Sequence, residues 1–218
     1  MGPYSHYILA AKLQPSLLPE KPAAYSWGAV APDIRYLANL RRDHTHLGQD
    51  RIQELAACYP HLRSFLLGYQ VHVLIDQIDV TRIVGAAFPL NLVQKVRRKN
   101  LSSQQMVMLV EMYYLQSGIS GQPLSGDHNE ILSDLGITPE QSRIFHQGLQ
   151  EYFEARSFEA AISAFQKIGM IQNDRMEKYM TAYRSMQKHK VVNSLFMLSV
   201  KNARLDSHVI NHVRSNLK

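Results

Sequence analysis

The sequence predicts an all-α fold: a multi-helical domain around a central buried helix at about residues 61–84. Three observations point there. The run HLRSFLLGYQVHVLIDQIDVTRIV is apolar nearly all round, as a helix enclosed by others must be. Thr138-Pro139-Glu140-Gln141 is an N-terminal helix signature, with a capping threonine, proline at the first position and glutamine at the capping-box position. No stretch of useful length alternates apolar and polar residues as a half-buried strand would.

The elements follow in order. Residues 4–13 have helical spacing, and the three prolines Pro15, Pro19 and Pro22 make 14–26 a loop. In 27–40, WGAVAPDIRYLANL, a turn runs into a helix with Pro32 in its first turn. Residues 41–49 are polar loop, and 50–58 a short helix. After the central helix the chain breaks around Pro89 and resumes at 102–116, opened by Ser102 or Ser103. Residues 117–126 hold three glycines and a proline, which makes a loop. Helical segments are expected at 128–135, 138–155, 157–168, 173–188 and 190–214. The whole chain, 1–218, reads as one domain, with unusual polar residues in 1–85 and ordinary amphipathic helices in 100–218.

Composition narrows the function. Apolar residues make up 45% of 218, enough for a substantial core, and charged residues only 19%, which excludes wholesale disorder. Cys58 is the single cysteine, so neither an internal disulfide nor a cysteine-rich zinc motif is available. The N-terminal stretch has no basic n-region and is interrupted by His6 and Lys12; Gly2 lacks the Ser or Thr that a myristoylation motif needs at position 6. The expected location is cytoplasmic. Net charge is +6, with basic clusters at Arg41-Arg42, Lys95–Lys99 and the C-terminus. That balance favours anionic partners: a phosphate-ester substrate or an anionic membrane surface. Nucleic acid is a weaker candidate because no aromatic-rich RNA signature or helix-turn-helix pattern is present. A homo-oligomer is compatible with the amphipathic C-terminal half.

The chemistry centres on His72 and Asp76. Four residues apart, they share a helix face one turn from each other, and Asp79 extends the same face. Leu66, Leu67, Val71, Val73, Leu74, Ile75 and Ile78 surround them, and buried ionisable groups need a partner. A divalent metal is one; a hydrogen-bonded core pair is another. Gly68, one turn earlier, leaves room for a second backbone. Asp33 follows Pro32 in GAVAPDI, His44 and His46 lie in DHTH, and His6 interrupts an apolar helix. This nitrogen and oxygen donor set suits zinc, with iron or manganese as less specific alternatives.

SHYILA, WGAVAPDIRYL, R-x-x-TH and FLLGYQVHVLID resemble, in order and wording, the zinc-dependent phospholipase C family, which is related in fold to the single-strand-specific zinc nucleases. The resemblance covers residues 4 to about 80. It implies an all-helical fold and a cluster of up to three zinc ions that cleaves phosphate esters. It further implies that Asp33, His46, His72 and Asp76 hold one metal and His6 a neighbouring one, with Asp76 bridging. A free N-terminus exposed by leader cleavage completes that second site in the family; no leader is read here. The family's remaining metal needs a histidine shortly after the helix aspartate, then a histidine followed one turn on by an acid. This sequence has Arg82 in the first region, and only His128 with Glu130, wrongly spaced for one helix face, near the second. One or two zinc ions are therefore expected. Asp33 or Asp79 would accept a proton from water, and Arg35, Arg41 or Arg42 would balance phosphate charge. The leading expectation is a zinc-dependent phosphodiesterase-like hydrolase. The alternatives are an inactive metal-binding or interaction protein on the same scaffold, and a basic module for anionic surfaces.

Overall fold

The computed structural model describes residues 1–97, 103–116, 124, 129–155, 158–169, 177, 180–181, 184 and 190–217. All regular structure among them is helical. The helices are α1 (Pro3–Leu17), α2 (Pro22–Gly28), α3 (Arg35–Ala38), α4 (Arg42–Thr45), α5 (Gln49–Cys58), α6 (Arg63–Ile75), α7 (Val80–Ala86), α8 (Leu90–Arg97), α9 (Ser103–Gln116), α10 (Asn129–Asp134), α11 (Pro139–Glu154), α12 (Phe158–Lys167), α13 (Lys190–Asn202) and α14 (Leu205–Asn216). Short 3-10 turns at Ala31–Ile34 and Pro60–Leu62 lead into α3 and α6. The expected helix at 173–188 and the loop at 117–126 fall almost wholly outside the described residues.

One hydrophobic core runs through the chain, from Tyr7, Ile8 and Leu9 on α1 to Val209 and Val213 on α14. Its centre is α6, packed by α1, α2, α5 and α14. Phe65, Tyr69, Val71 and Ile75 of α6 are fully buried. The closest crossing is between α2 and α6. A Cβ on Gly28 would stand 1.9 Å from the Phe65 carbonyl oxygen, and one on Gly68 would stand 2.0 Å from the Tyr25 carbonyl oxygen. Only glycine at both positions lets the two backbones touch. The room expected at Gly68 is thus filled by α2.

Several boundaries differ from the sequence expectation: α2 starts inside the expected loop 14–26, and α8 occupies part of the stretch between the break at Pro89 and residue 102. The central helix does not run to residue 84; α6 ends at Ile75 and α7 begins at Val80. Between them Gln77 and Ile78 donate to the carbonyls of Leu74 and Ile75, three residues back, which tightens and ends the helix. Asp79 then starts a new helix, its carboxylate accepting from the Arg82 amide at 2.9 Å. At the other end, α1 continues through Pro15 and stops at Leu18, whose left-handed backbone (φ 47°) closes it. In the polar stretch 41–49, Arg42–Thr45 forms the single-turn α4. The capping box of α11 is as expected: Gln141 N–H donates to the Thr138 hydroxyl, and Thr138 N–H to the Gln141 side chain.

Candidate metal centre

Five residues from four places in the chain meet beside α6. His6 comes from α1, Asp33 from the 3-10 turn, His46 from the end of α4, and His72 with Asp76 from the C-terminal end of α6. His6 and His72 are fully buried and Asp33 is 3% exposed. The Asp76 side chain is 8% exposed, the most of the five.

Backbone contacts set each donor. The Nδ1 of His72 lies 2.8 Å from the Ala29 carbonyl oxygen. A carbonyl only accepts, so Nδ1 carries the proton and the Nε2 lone pair is left facing the cluster. The Gly28–Gly68 crossing makes this possible, because it brings Ala29 against α6. The Nδ1 of His6 lies 3.0 Å from the Gly2 carbonyl, which fixes that ring in the same way. His46 is placed by α4, whose buried Thr45 has its carbonyl bonded by the Tyr69 hydroxyl of α6. The Thr45 hydroxyl is 3.3 Å from His46 Nδ1.

The remaining nitrogens converge on the two carboxylates. His6 Nε2 is 3.0 Å from Asp76 Oδ1, and His46 Nε2 is 3.0 Å from Asp76 Oδ2. His72 Nε2 is 3.8 Å from Asp76 Oδ2 and 4.0 Å from Asp33 Oδ1. Neither His72 Nε2 nor Asp33 Oδ2 has a hydrogen-bond partner, although both are buried. The amino nitrogen of Met1 lies 3.3 Å from Asp76 Oδ1, and the rings of His6 and His72 stack 3.9 Å apart.

Electrostatics sharpens the picture. Burial, reinforced by His6, drives His72 well below its ordinary pKa, so its ring is neutral. Burial pushes Asp33 up, against the pull of His6. Asp76 is raised by burial, but His6 and the contacts from His46 and His72 outweigh that and hold it far below the carboxylate range. A neutral imidazole lone pair facing carboxylate oxygens is a donor arrangement that could hold a metal cation. Two groups have the arrangement to hold one: His6–Asp33–His72 and His46–His72–Asp76, each with its donor atoms within 4.8 Å of one another.

The other expected residues lie apart from these groups. The break after α6 takes Asp79 off the His72 face; its exposed carboxylate caps α7, accepting from the Arg82 amide and the Thr81 hydroxyl. His44 is exposed and paired with Asp43, so only His46 of the DHTH pair turns inward. His128 lies outside the described residues, and Glu130 makes an exposed pair with His61.

Sequence reasoning missed Glu111, a buried carboxylate on α9 in the apolar run VMLVEMYYL. It accepts from the amides of Tyr4 (2.7 Å) and Ser5 (3.1 Å) and from the Tyr152 hydroxyl (2.5 Å). It satisfies the first turn of α1, where a negative charge also favours the helix dipole, and so fixes the turn that carries His6. No helix among the described residues is long and apolar enough to cross a membrane. No family model, curated protein or solved structure matches this chain.

Proposed function

We propose that this chain is a zinc-dependent hydrolase of phosphate esters, similar to the zinc-dependent phospholipases C. The observation that carries the reading is the unpartnered Nε2 of His72, held bare by Ala29 and aimed at Asp33 and Asp76. Metal-binding histidines characteristically donate their other N–H to a backbone carbonyl or carboxylate. A tetrahedral zinc polyhedron has edges of roughly 3.3 Å, and the separations of 3.0 and 3.8 Å from Asp76 Oδ2 to His46 and His72 bracket that value.

His46, His72, Asp76 and Asp33 would hold the first ion. His72 has a single free nitrogen and serves only one metal, whereas a carboxylate has lone pairs for two. A second ion would therefore depend on His6 with Asp76 as bridge, which keeps the count at one or two. Iron or manganese would satisfy the same donors less specifically. When bound, such an ion acidifies water to a pKa of about 7 and polarises a phosphoryl oxygen. Asp33, with one oxygen free of hydrogen bonds, is the carboxylate placed to take the proton. His6 and His72 are buried, so substrate would reach the donors from the side of Asp76, the most exposed of the five.

The experiment is elemental analysis of purified protein, followed by turnover of a chromogenic phosphodiester. Near-stoichiometric zinc and turnover, both lost in His72→Ala/Asp76→Ala, support the proposal. Zinc-free wild type would overturn it. Zinc without turnover would leave a metal-binding scaffold. One observation favours that second reading: Asp79 is spent on capping α7, so Asp33 must serve as both ligand and base.

A further inference from the structure

Three arginines lie close in sequence to the donors, and the structure separates them. Arg41 is bound in two places to Asp43, at 3.1 and 2.6 Å, and both side chains are exposed. Arg42 points the other way. Its guanidinium donates to Asp76 Oδ2 at 2.7 Å, the same oxygen that His46 approaches, while its side chain remains 51% exposed. It bridges Asp76 Oδ2 and solvent. A guanidinium has five N–H donors in a planar fork, and one bond to Asp76 leaves others for an incoming anion.

Arg35 and Tyr36 lie alongside. The Arg35 guanidinium stacks 3.9 Å over the Tyr36 ring and donates to its hydroxyl. Its Nε is buried without a hydrogen-bond partner. The Tyr36 hydroxyl is pushed up by burial, then by Asp33 and Asp76, and pulled down by Arg35 and Arg42. The geometry agrees: α3, which carries Arg35 and Tyr36, packs against α4, which carries Arg42.

We propose that Arg42, with Arg35 and Tyr36 beside it, forms an oxyanion clamp on the Asp76 side of the centre, which recognises the phosphoryl group of the substrate. The proposal rests on the metal reading for its catalytic meaning, but the clamp itself is a charge and hydrogen-bond arrangement of this chain. Arg42 stands one carboxylate oxygen away from the donors, so an anion approaching them meets its free N–H groups. Arg35 supplies a second cation from the α3 side, and Tyr36 holds its plane. The clamp selects an anionic phosphate, whether free, monoester or diester, over a neutral triester, because two guanidiniums need a charge to offset them.

The test is calorimetric titration of the zinc-loaded full chain with inorganic phosphate, with zinc content measured in parallel. Arg42→Ala should retain zinc and bind phosphate at least tenfold more weakly. Arg42→Lys should fall between the two, because a point charge replaces the fork, and Arg35→Ala should also weaken binding. Phosphate affinity within twofold of wild type in Arg42→Ala would overturn the clamp and leave the metal reading standing. So would wild type that binds no phosphate, or loss of zinc in Arg42→Ala, which would make Arg42 part of the scaffold. If wild type takes up no zinc, the metal reading alone fails. The same titration on zinc-free protein then decides: weaker binding in Arg42→Ala supports the clamp, and equal binding overturns it.

Discussion

His72 donates its Nδ1–H to the Ala29 carbonyl at 2.8 Å, so a backbone oxygen just past α2 chooses which nitrogen of the α6 histidine faces the cluster. The bond depends on two helices approaching to glycine contact. Helix packing and donor chemistry are one problem here, and the predictions follow from that coupling.

The first concerns zinc. Ligand that binds only the folded chain stabilises it by about 2.7 kcal/mol at a hundredfold excess over Kd. For a chain of this size that is a rise of roughly 5–10 °C in Tm. Added zinc should produce that rise, a chelator should reverse it, and Asp76→Asn should abolish it. Differential scanning calorimetry with and without zinc reads all three.

Gly68→Ala should be costly. The added Cβ meets the Tyr25 carbonyl oxygen at 2.0 Å, and that atom is backbone, so α2 must move. Overpacking of this kind costs about 1–3 kcal/mol, occasionally more. Because Ala29 moves with α2, zinc affinity should fall as well. Gly85→Ala is the control. Its Cβ meets only the Met106 methyl at 3.9 Å, and alanine gains about 0.5–1 kcal/mol of helix preference. Urea denaturation should rank Gly85→Ala at or above wild type and Gly68→Ala well below.

Much of this was legible in the sequence, and the exceptions have physical causes. The capping box of α11 and the glycine at 68 are local signals, each with one meaning. His6, Asp33, His72 and Asp76 stand out because ionisable groups in apolar runs must find partners. Asp79 misleads because seven residues from His72 is both the next place on a helix face and a good N-cap for α7. The three prolines of 14–26 suggest one loop, yet Pro15 is accommodated inside α1 and Pro22 starts α2, so only the residues between are loop. Which of His44 and His46 turns inward depends on Thr45 being tied to Tyr69, a contact across 24 residues. Glu111 carries the same buried-charge signal as His6, but its partners are amides 106 and 107 residues away.

Glu111→Ala should be among the most damaging single substitutions. It leaves the Tyr4 and Ser5 amides and the Tyr152 hydroxyl without acceptors in a buried place. Each orphaned donor costs about 1–3 kcal/mol, so a loss of about 3 kcal/mol or more is expected in urea. Glu111→Gln, which keeps one acceptor oxygen, should lose less.

Metal-stripped protein should lose stability as pH falls below the ordinary histidine pKa of 6.5. Burial depresses the folded-state pKa of His72, so its contribution is fully present above 6.5. Below 6.5 the unfolded chain binds a proton that the folded chain refuses, and stability falls. Asp33 has the opposite sign: its raised pKa favours the folded state at low pH and is lost as pH rises through the folded value. Between pH 7 and 5.5 the His72 slope should be visible in urea midpoints and reduced in His72→Gln. An unchanged slope in that variant would refute the assignment.

Asp79 provides the sharpest contrast with the five donors. Its carboxylate is exposed, pulled down by the Thr81 hydroxyl and then by the Arg82 amide, and commits both contacts to the first turn of α7. Asp79→Ala removes an N-cap and should lower Tm by a few degrees. It should leave zinc content and phosphodiester turnover unchanged, because nothing connects its carboxylate to the cluster. Asp33→Asn, which keeps the shape but replaces one carboxylate oxygen by an amide nitrogen and removes the charge, should do the reverse: little change in fold, and loss of turnover by a factor of about 100 or more. Measuring zinc, Tm and turnover on both variants separates a capping carboxylate from a reacting one. Loss of turnover in Asp79→Ala with Tm unchanged would return Asp79 to the chemistry.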